Sequence, residues 1–237
     1  MKKAIVLLSG GLDSATTLYL ARKQGYKCFC LVFDYGQRHK KEIESAKKIA
    51  RLSGSLAKVI KIDLPWGGSS LLDKKLKIPR RPGSADKIPS TYVPGRNIIF
   101  LSFALSFAEA TGAEAIFIGA HTQDYSGYPD CRPEFYRAFT KVILTGTKSG
   151  VRKKGPKILT PLINRSKTQI IREALRLGVP VDLTWSCYRG GRTPCGECDS
   201  CYYRAKAFRE VFSSNRGTLL GPIGEVSPSL QTRRGEY

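Results

Sequence analysis

The chain has 237 residues, 41% of them hydrophobic and 25% charged. Those proportions exclude a wholly disordered chain and suit one large globular domain, with or without an appendage. With 40 Lys and Arg against 19 Asp and Glu, the formal net charge is +21. A field of that sign draws in nucleotides, carboxylates or nucleic acid without choosing among them, and a solvated basic surface has the same composition. No apolar run reaches about eighteen residues, so no membrane helix is expected. The apolar run after Met1-Lys2-Lys3 is too short for a secretory signal, and a cytoplasmic location is expected.

Residues 3–8 form an apolar run that ends in Ser-Gly-Gly, as a buried parallel strand feeding a turn would. A helix over 14–24 follows, with Gly25 as its stop. Residues 27–33 read as a second strand. Over 37–52, Ile43, Ala46, Ile49 and Ala50 share one helical face, with Lys on the other, and 57–62 is a third strand. From Leu64 to Pro94 Gly, Pro, Ser and Lys recur without a period, which predicts an inserted, mobile loop. Residues 96–111 are apolar nearly all round, the pattern of a helix packed on several sides. A fourth strand is expected over 115–120, and a helix opening at Pro133 runs to 144. A second basic loop spans 146–155 and a fifth strand 157–160. Ser166-Lys167-Thr168-Gln169 is a capping box for a helix that stops before Gly178, and a last short helix is expected over 202–211.

The alternation predicts an α/β fold, a doubly wound parallel sheet of Rossmann-like type that binds ligands outside the carboxyl ends of its strands. The expected plan is an α/β domain over 1–180 with the insertion at about 64–94, a small metal-binding segment over 181–212 and a surface tail over 213–237.

Ser9-Gly10-Gly11-Leu12-Asp13-Ser14 sits at the first strand–helix junction. Two glycines let the backbone turn its N–H groups toward an anion, and the helix start adds its dipole. A Cβ at Gly10 or Gly11 is expected to clash with the turn or with phosphates. The hydroxyls of Ser9 and Ser14 add donors, whereas Asp13 beside a phosphate needs Mg²⁺ or an N–H partner. The segment lacks the Walker pattern.

Seven Cys are present, an odd number that argues against a disulfide framework. Cys187, Cys195, Cys198 and Cys201 place four thiolates within fifteen residues, with Gly196 permitting a tight knuckle. Four soft ligands with none to spare describe one closed, structural zinc site per chain; an iron–sulfur cluster is the alternative.

The hexapeptide resembles the SGGxDS pyrophosphate loop of the N-type ATP pyrophosphatase superfamily. Further segments narrow the likeness: Phe33-Asp34-Tyr35-Gly36-Gln37-Arg38-His39, Val93-Pro94-Gly95-Arg96-Asn97, the block from Asp124 to Phe135, and Trp185 to Tyr188 with the Cys cluster. Together they resemble the 7-cyano-7-deazaguanine synthase family from about Lys3 to Phe208.

The resemblance implies an adenine nucleotide hydrolase type of sheet, a ligase using ATP with Mg²⁺, ammonia and 7-carboxy-7-deazaguanine, and a homodimer. Its product would enter queuosine or archaeosine precursor synthesis. It places ATP on Leu8, Ser9, Gly10, Gly11, Leu12, Asp13, Ser14, Ala15 and Thr16. Arg96 and Arg132, with Arg38, are candidates for phosphates or the substrate carboxylate. Asp130 or Asp124 would read the ring's donor edge, with Tyr125 or Tyr128 stacked on it. His39 and His121 are left without a role, and Cys131 is read as structural. Two other classes fit parts of the pattern: a tRNA-thiolating enzyme, which the charge suits, and a non-enzymatic zinc module for nucleic acid, which leaves the Ser9–Ser14 loop unexplained. Neither nucleic acid nor a membrane is required by the favoured reading.

Overall fold

The computed structural model describes residues 1–80, 88–121 and 127–214. Five parallel strands stand in the order β3-β2-β1-β4-β5: β1 (Lys3–Leu7), β2 (Lys27–Asp34), β3 (Leu56–Lys61), β4 (Ala115–Phe117) and β5 (Lys157–Leu159). The helices are α1 (Leu12–Lys23), α2 (Lys41–Leu52), α3 (Arg96–Thr111), α4 (Pro133–Gly146), the single turn α5 (Lys148–Val151), α6 (Lys167–Arg176) and α7 (Asp199–Ser214).

Strand periodicity divides the core in two. Ala4 and Val6 of β1 face a cluster with Leu18, Ile49, Phe117 and Ile171, beneath α1, α2 and α6. Ile5 and Leu7 face the opposite cluster with Leu31, Leu101, Ile116 and Phe139, beneath α3 and α4. Both faces are therefore covered, as a parallel sheet requires. The order reverses direction at β1, between β2 and β4, and the crevice opens at the carboxyl ends there. The C-terminal helix α7 adds Ala207 and Val211 to the first cluster.

Four expectations need correction. Helix α2 begins at Lys41, not at 37, because the Gln37 side chain is used by the preceding turn: its Oε1 accepts from Tyr35 N at 2.8 Å and its Nε2 donates to Phe33 O at 3.1 Å. The described part of the 64–94 insertion is packed. Leu64, Leu71 and Val93 join the second cluster, Ser69 and Ser70 are fully buried, and Ser70 N donates to Ser90 O at 2.7 Å. Helix α3 is not enclosed: Ile98 is 48% and Phe103 41% exposed, beside the largely exposed edge strand β3. Strand β4 also stops at Phe117 rather than 120, which frees Ile118, Gly119 and Ala120 to line the crevice.

Candidate functional site

The crevice begins at the loop between β1 and α1. There the two serines brace each other: Ser9 N donates to Ser14 Oγ at 3.2 Å, the two hydroxyls are 3.0 Å apart, and Gly11 N donates to Ser9 Oγ at 3.3 Å. At Gly10 φ is +86°, and a Cβ would lie 2.1 Å from Glu42 O and 2.8 Å from Ala46 N, so the missing side chain lets α2 pack on the loop. At Gly11 a Cβ would meet only Ser9 Oγ at 3.4 Å and Trp185 O at 3.6 Å, which is ordinary room. A clash with the protein therefore arises at Gly10 and not at Gly11. Leu8, Ser9, Gly11, Leu12, Asp13 and Ser14 line the crevice. Gly10 does not, and Ala15 and Thr16 are fully buried in the first turn of α1, where Thr16 Oγ1 donates to Leu12 O.

Asp13 is answered from the end of β4 and from the start of α6, which packs beside α1 on the same face of the sheet. Lys167 Nζ donates to both its oxygens, at 2.8 and 2.6 Å, and His121 Nε2 lies 3.6 Å from Oδ2. Burial alone would raise the Asp13 carboxyl, but Lys167 and then His121 overcome it and hold the group well below the carboxylate range. Lys167 escaped the sequence reading because it stood inside a capping box, whose two reciprocal bonds both form. A signal was available: a lysine in the first turn of a helix opposes the dipole, so something else must hold it there.

Gly119 brings the end of β4 against this loop. A Cβ there would sit 3.0 Å from Asp13 C, Asp13 O and Thr17 Oγ1. Gly119→Ala is expected to cost ~1 kcal/mol and to weaken ATP binding several-fold, since Asp13 must give by a few tenths of an ångström. Calorimetric titration with ATP beside thermal melting checks both parts; wild-type affinity would mean that the loop tolerates the shift.

At the other end of the crevice stand Tyr35, Arg96, Asn97, Tyr128 and Cys131. The Arg96 guanidinium lies 5.9 Å from the Tyr35 ring centre and 5.8 Å from that of Phe100. No ion pair of Arg96 occurs among the described residues, and its Nε is buried without a hydrogen bond. Burial disfavours its charge, but Tyr35, Cys131 and Asp130 outweigh that and keep it protonated. The Tyr128 hydroxyl is 2.7 Å from Thr91 Oγ1.

Asp130 and Arg132 stand elsewhere. Asp130 is buried and caps α3: its Oδ2 accepts from Asn97 N at 3.0 Å and its carbonyl accepts from Asn97 Nδ2 at 3.2 Å. Arg132 is exposed at the N-cap of α4, and neither residue lines the crevice. Arg38 does, but its guanidinium donates to the carbonyls of Asp73 and Leu76 and so pins the insertion. Asp124 and Tyr125 lie outside the described residues.

Cys187, Cys195, Cys198 and Cys201 bring their sulfurs within 4.8 Å of one another. Zinc–sulfur bonds of about 2.3 Å put tetrahedral sulfurs about 3.8 Å apart, so the four could bind a metal with little movement. The Cys201 thiol hydrogen-bonds to Cys198, which lowers Cys198 and raises Cys201. This centre supports the crevice. Trp185 N donates to Gly10 O at 2.9 Å, while Trp185 Nε1 donates to Cys187 O at 3.0 Å. From α7, Arg204 reaches the crevice wall and is fixed there by Thr184 Oγ1 and Val181 O, both at 2.7 Å. Cys28 and Cys30 are buried on β2, where burial pushes the Cys28 thiol up to about 11, which does not suit a redox pair for sulfur transfer. No helix among the described residues is long and apolar enough to cross a membrane.

The family described as queuosine biosynthesis protein QueC matches residues 3–212. A 7-cyano-7-deazaguanine synthase of Acetivibrio thermocellus is 54% identical over 212 residues, covering 89% of this chain and 95% of the relative. One of the same description from Thermoplasma acidophilum is 50% identical, covering 90% of each chain. Among solved structures, the NMN synthetase of Francisella tularensis is similar with a TM-score of 0.46 at 13% identity, over 95% of this chain and 90% of that one.

Proposed function

We propose that the chain, which belongs to the queuosine biosynthesis protein QueC family, is an ATP-dependent carbon–nitrogen ligase that converts 7-carboxy-7-deazaguanine and ammonia to 7-cyano-7-deazaguanine. The observation that carries this reading is the relation to the synthases over nearly the whole described fold, joined to a crevice with the Ser9–Ser14 loop at one end and, at the other, an arginine that makes no ion pair among the described residues. In the proposed sequence the substrate carboxylate attacks the α-phosphorus of ATP and pyrophosphate leaves. Ammonia then displaces AMP to give the amide. The amide oxygen is adenylated by a second ATP and departs with AMP as the carbon–nitrogen triple bond forms. A carboxylate is a poor electrophile, and AMP is a far better leaving group than oxide.

Within that scheme the Ser9–Ser14 loop and the start of α1 hold the pyrophosphate. Mg²⁺ arrives with ATP, and Arg96 holds the substrate carboxylate beside the α-phosphate. Asp130 acts through Asn97 and the start of α3, and positions Arg96 rather than touching substrate. The metal is zinc, one per chain, bound structurally by the four cysteines. The reaction belongs in the cytoplasm, needs no nucleic acid, and is carried out by a homodimer. The exposed Ile98 and Phe103 of α3, beside edge strand β3, are the apolar surface such a dimer would cover.

The test is a mass-spectrometric assay of the purified protein with ATP, Mg²⁺, ammonium and 7-carboxy-7-deazaguanine. The expected products are the nitrile, the intermediate amide, AMP and pyrophosphate. ATP and substrate left intact under these conditions would overturn the reading.

A further inference from the structure

We propose that Glu42 is the base that takes the proton from ammonia as it attacks the adenylated carboxyl. This role rests on the ligase reading above. In that step the nitrogen lone pair forms the new bond to the carbonyl carbon, the carbon–oxygen bond to AMP breaks, and AMP leaves with that electron pair. The nitrogen must shed a proton, and Glu42 Oε2 receives it.

The position of Glu42 singles it out. The residue stands in the first turn of α2, whose backbone touches the pyrophosphate loop at Gly10, and it lines the crevice together with Tyr35 and Arg96. It therefore occupies the junction between the phosphate end and the arginine end. The reacting carbon must lie at that junction if its carboxylate oxygen is to reach the α-phosphorus. One carboxylate oxygen is fixed: Oε1 accepts from Gln37 Nε2 at 2.9 Å, and Gln37 is itself locked by Tyr35 N and Phe33 O. Among the described residues Oε2 accepts no hydrogen bond. A base held by one oxygen with the other open to the cavity is oriented without being consumed.

Other groups around the crevice are less suited. Both oxygens of Asp13 accept from Lys167. His121 is almost fully buried beside that pair, at the phosphate end. His39 keeps Nδ1 buried and packs its side chain against Gly190, toward the metal centre.

The electrostatics of Glu42 agree with the geometry. Facing it are Gln37, the Tyr35 phenol and the Arg96 guanidinium of α3, with His39 and Arg38 in the turn before α2. Burial raises its carboxyl to about 7 against the opposing pull of the Gln37 hydrogen bond and the Arg96 charge. A base near neutrality is ionised when needed and still basic enough to accept a proton. The sign is definite: its basic form is present above that value and lost below it.

The experiment compares wild type, Glu42→Gln and Glu42→Asp. Substrate-dependent exchange of pyrophosphate into ATP reads adenylation. Single-turnover formation of the amide with ammonium chloride, between about pH 6 and 9, reads the proton-dependent step. Glu42→Gln keeps the shape and the Gln37 contact. Its exchange is expected within about threefold of wild type, with amide formation slowed about 100-fold. Expressed per free ammonia, the wild-type rate should fall below about pH 7 and the Gln variant should be flat. Glu42→Asp should recover part of the rate. Amide formation at the wild-type rate in Glu42→Gln, or equal losses in exchange and amide formation, would overturn this role. Absence of exchange in wild type would instead remove the ligase reading, and this role with it.

Discussion

Replacing Cys198 by Ser is expected to empty the metal centre and to damage ATP binding some distance away. Cys198 is fully buried, and its sulfur lies within 4.8 Å of the other three. A hydroxyl in its place is a far weaker ligand, and a three-thiolate remnant leaves buried negative charge without its cation. Metal binding by such a cluster is folding energy, with apparent values of about 10–16 kcal/mol in zinc-finger peptides, so the loss of even part of it should lower the melting temperature strongly. The effect travels because Cys187 is two residues from Trp185, whose N–H holds Gly10 O at 2.9 Å. Arg204, on the helix that carries Cys201, shares the same support. Elemental analysis should find about one zinc per wild-type chain, no acid-labile sulfide and little metal in the variant. ATP affinity should fall at least about tenfold, or ~1.4 kcal/mol, in the variant and in chelator-treated wild type. Unchanged ATP affinity in metal-free, folded protein would sever the centre from the loop; iron with labile sulfide would replace zinc by a cluster.

The sheet was legible because its strands are nearly continuous apolar runs, and runs buried on both faces are hard to mistake once helical periods lie between them. The Ser9–Ser14 loop and the cysteine cluster stood out as candidates for a related reason: each gathers its residues into one short segment. What escaped was chemistry assembled from distant segments. Lys167 is 154 residues from Asp13, and nothing local distinguishes it from a surface lysine except its unfavourable place at a helix start. Glu42 looks like any acid in a first helical turn until Gln37 and Arg96 are placed around it.

Asp130 failed in the opposite direction. Its neighbourhood in the sequence suggested a ligand, whereas the start of α3 has free N–H groups to satisfy and takes the carboxylate for that purpose. The packing of the insertion's described part escaped the pattern because irregular backbone leaves no period, although its Leu64, Leu71 and Val93 supply ordinary core side chains. The apolar face of α3 shows the limit of periodicity most plainly. A helix hydrophobic all round predicts cover on every side, yet within one chain Ile98 and Phe103 stay only about half covered.

Lys167→Met should cost ATP binding and stability together, and a double-mutant cycle with Asp13→Asn should show why. Methionine keeps most of the lysine stem but deletes the ammonium that meets both Asp13 oxygens. Asp13 would then be an ionised carboxylate at the mouth of the proposed anion site, answered at close range by His121 and more weakly by the charge of Arg204. The pair is partly solvated, with side chains 16% and 24% exposed, so the stability loss is discounted from that of a fully buried pair to ~2 kcal/mol. In linkage terms, the depressed Asp13 carboxyl stabilises the fold above the unfolded carboxylate value. That stability is lost as pH falls through the folded value, so at neutral pH it is fully present, with Lys167 its largest source and His121 the next. ATP affinity should drop about 100-fold, or ~2.7 kcal/mol, because one cation is removed from the phosphates and one anion is released toward them. Asp13→Asn in the Lys167→Met background should restore much of the stability, since no unpaired charge remains, but not turnover, since neither charged group is then present to orient the phosphates. Urea denaturation and ATP titration on the four proteins read the coupling. Strictly additive losses would mean that the two residues act independently and that the lysine serves the substrate alone.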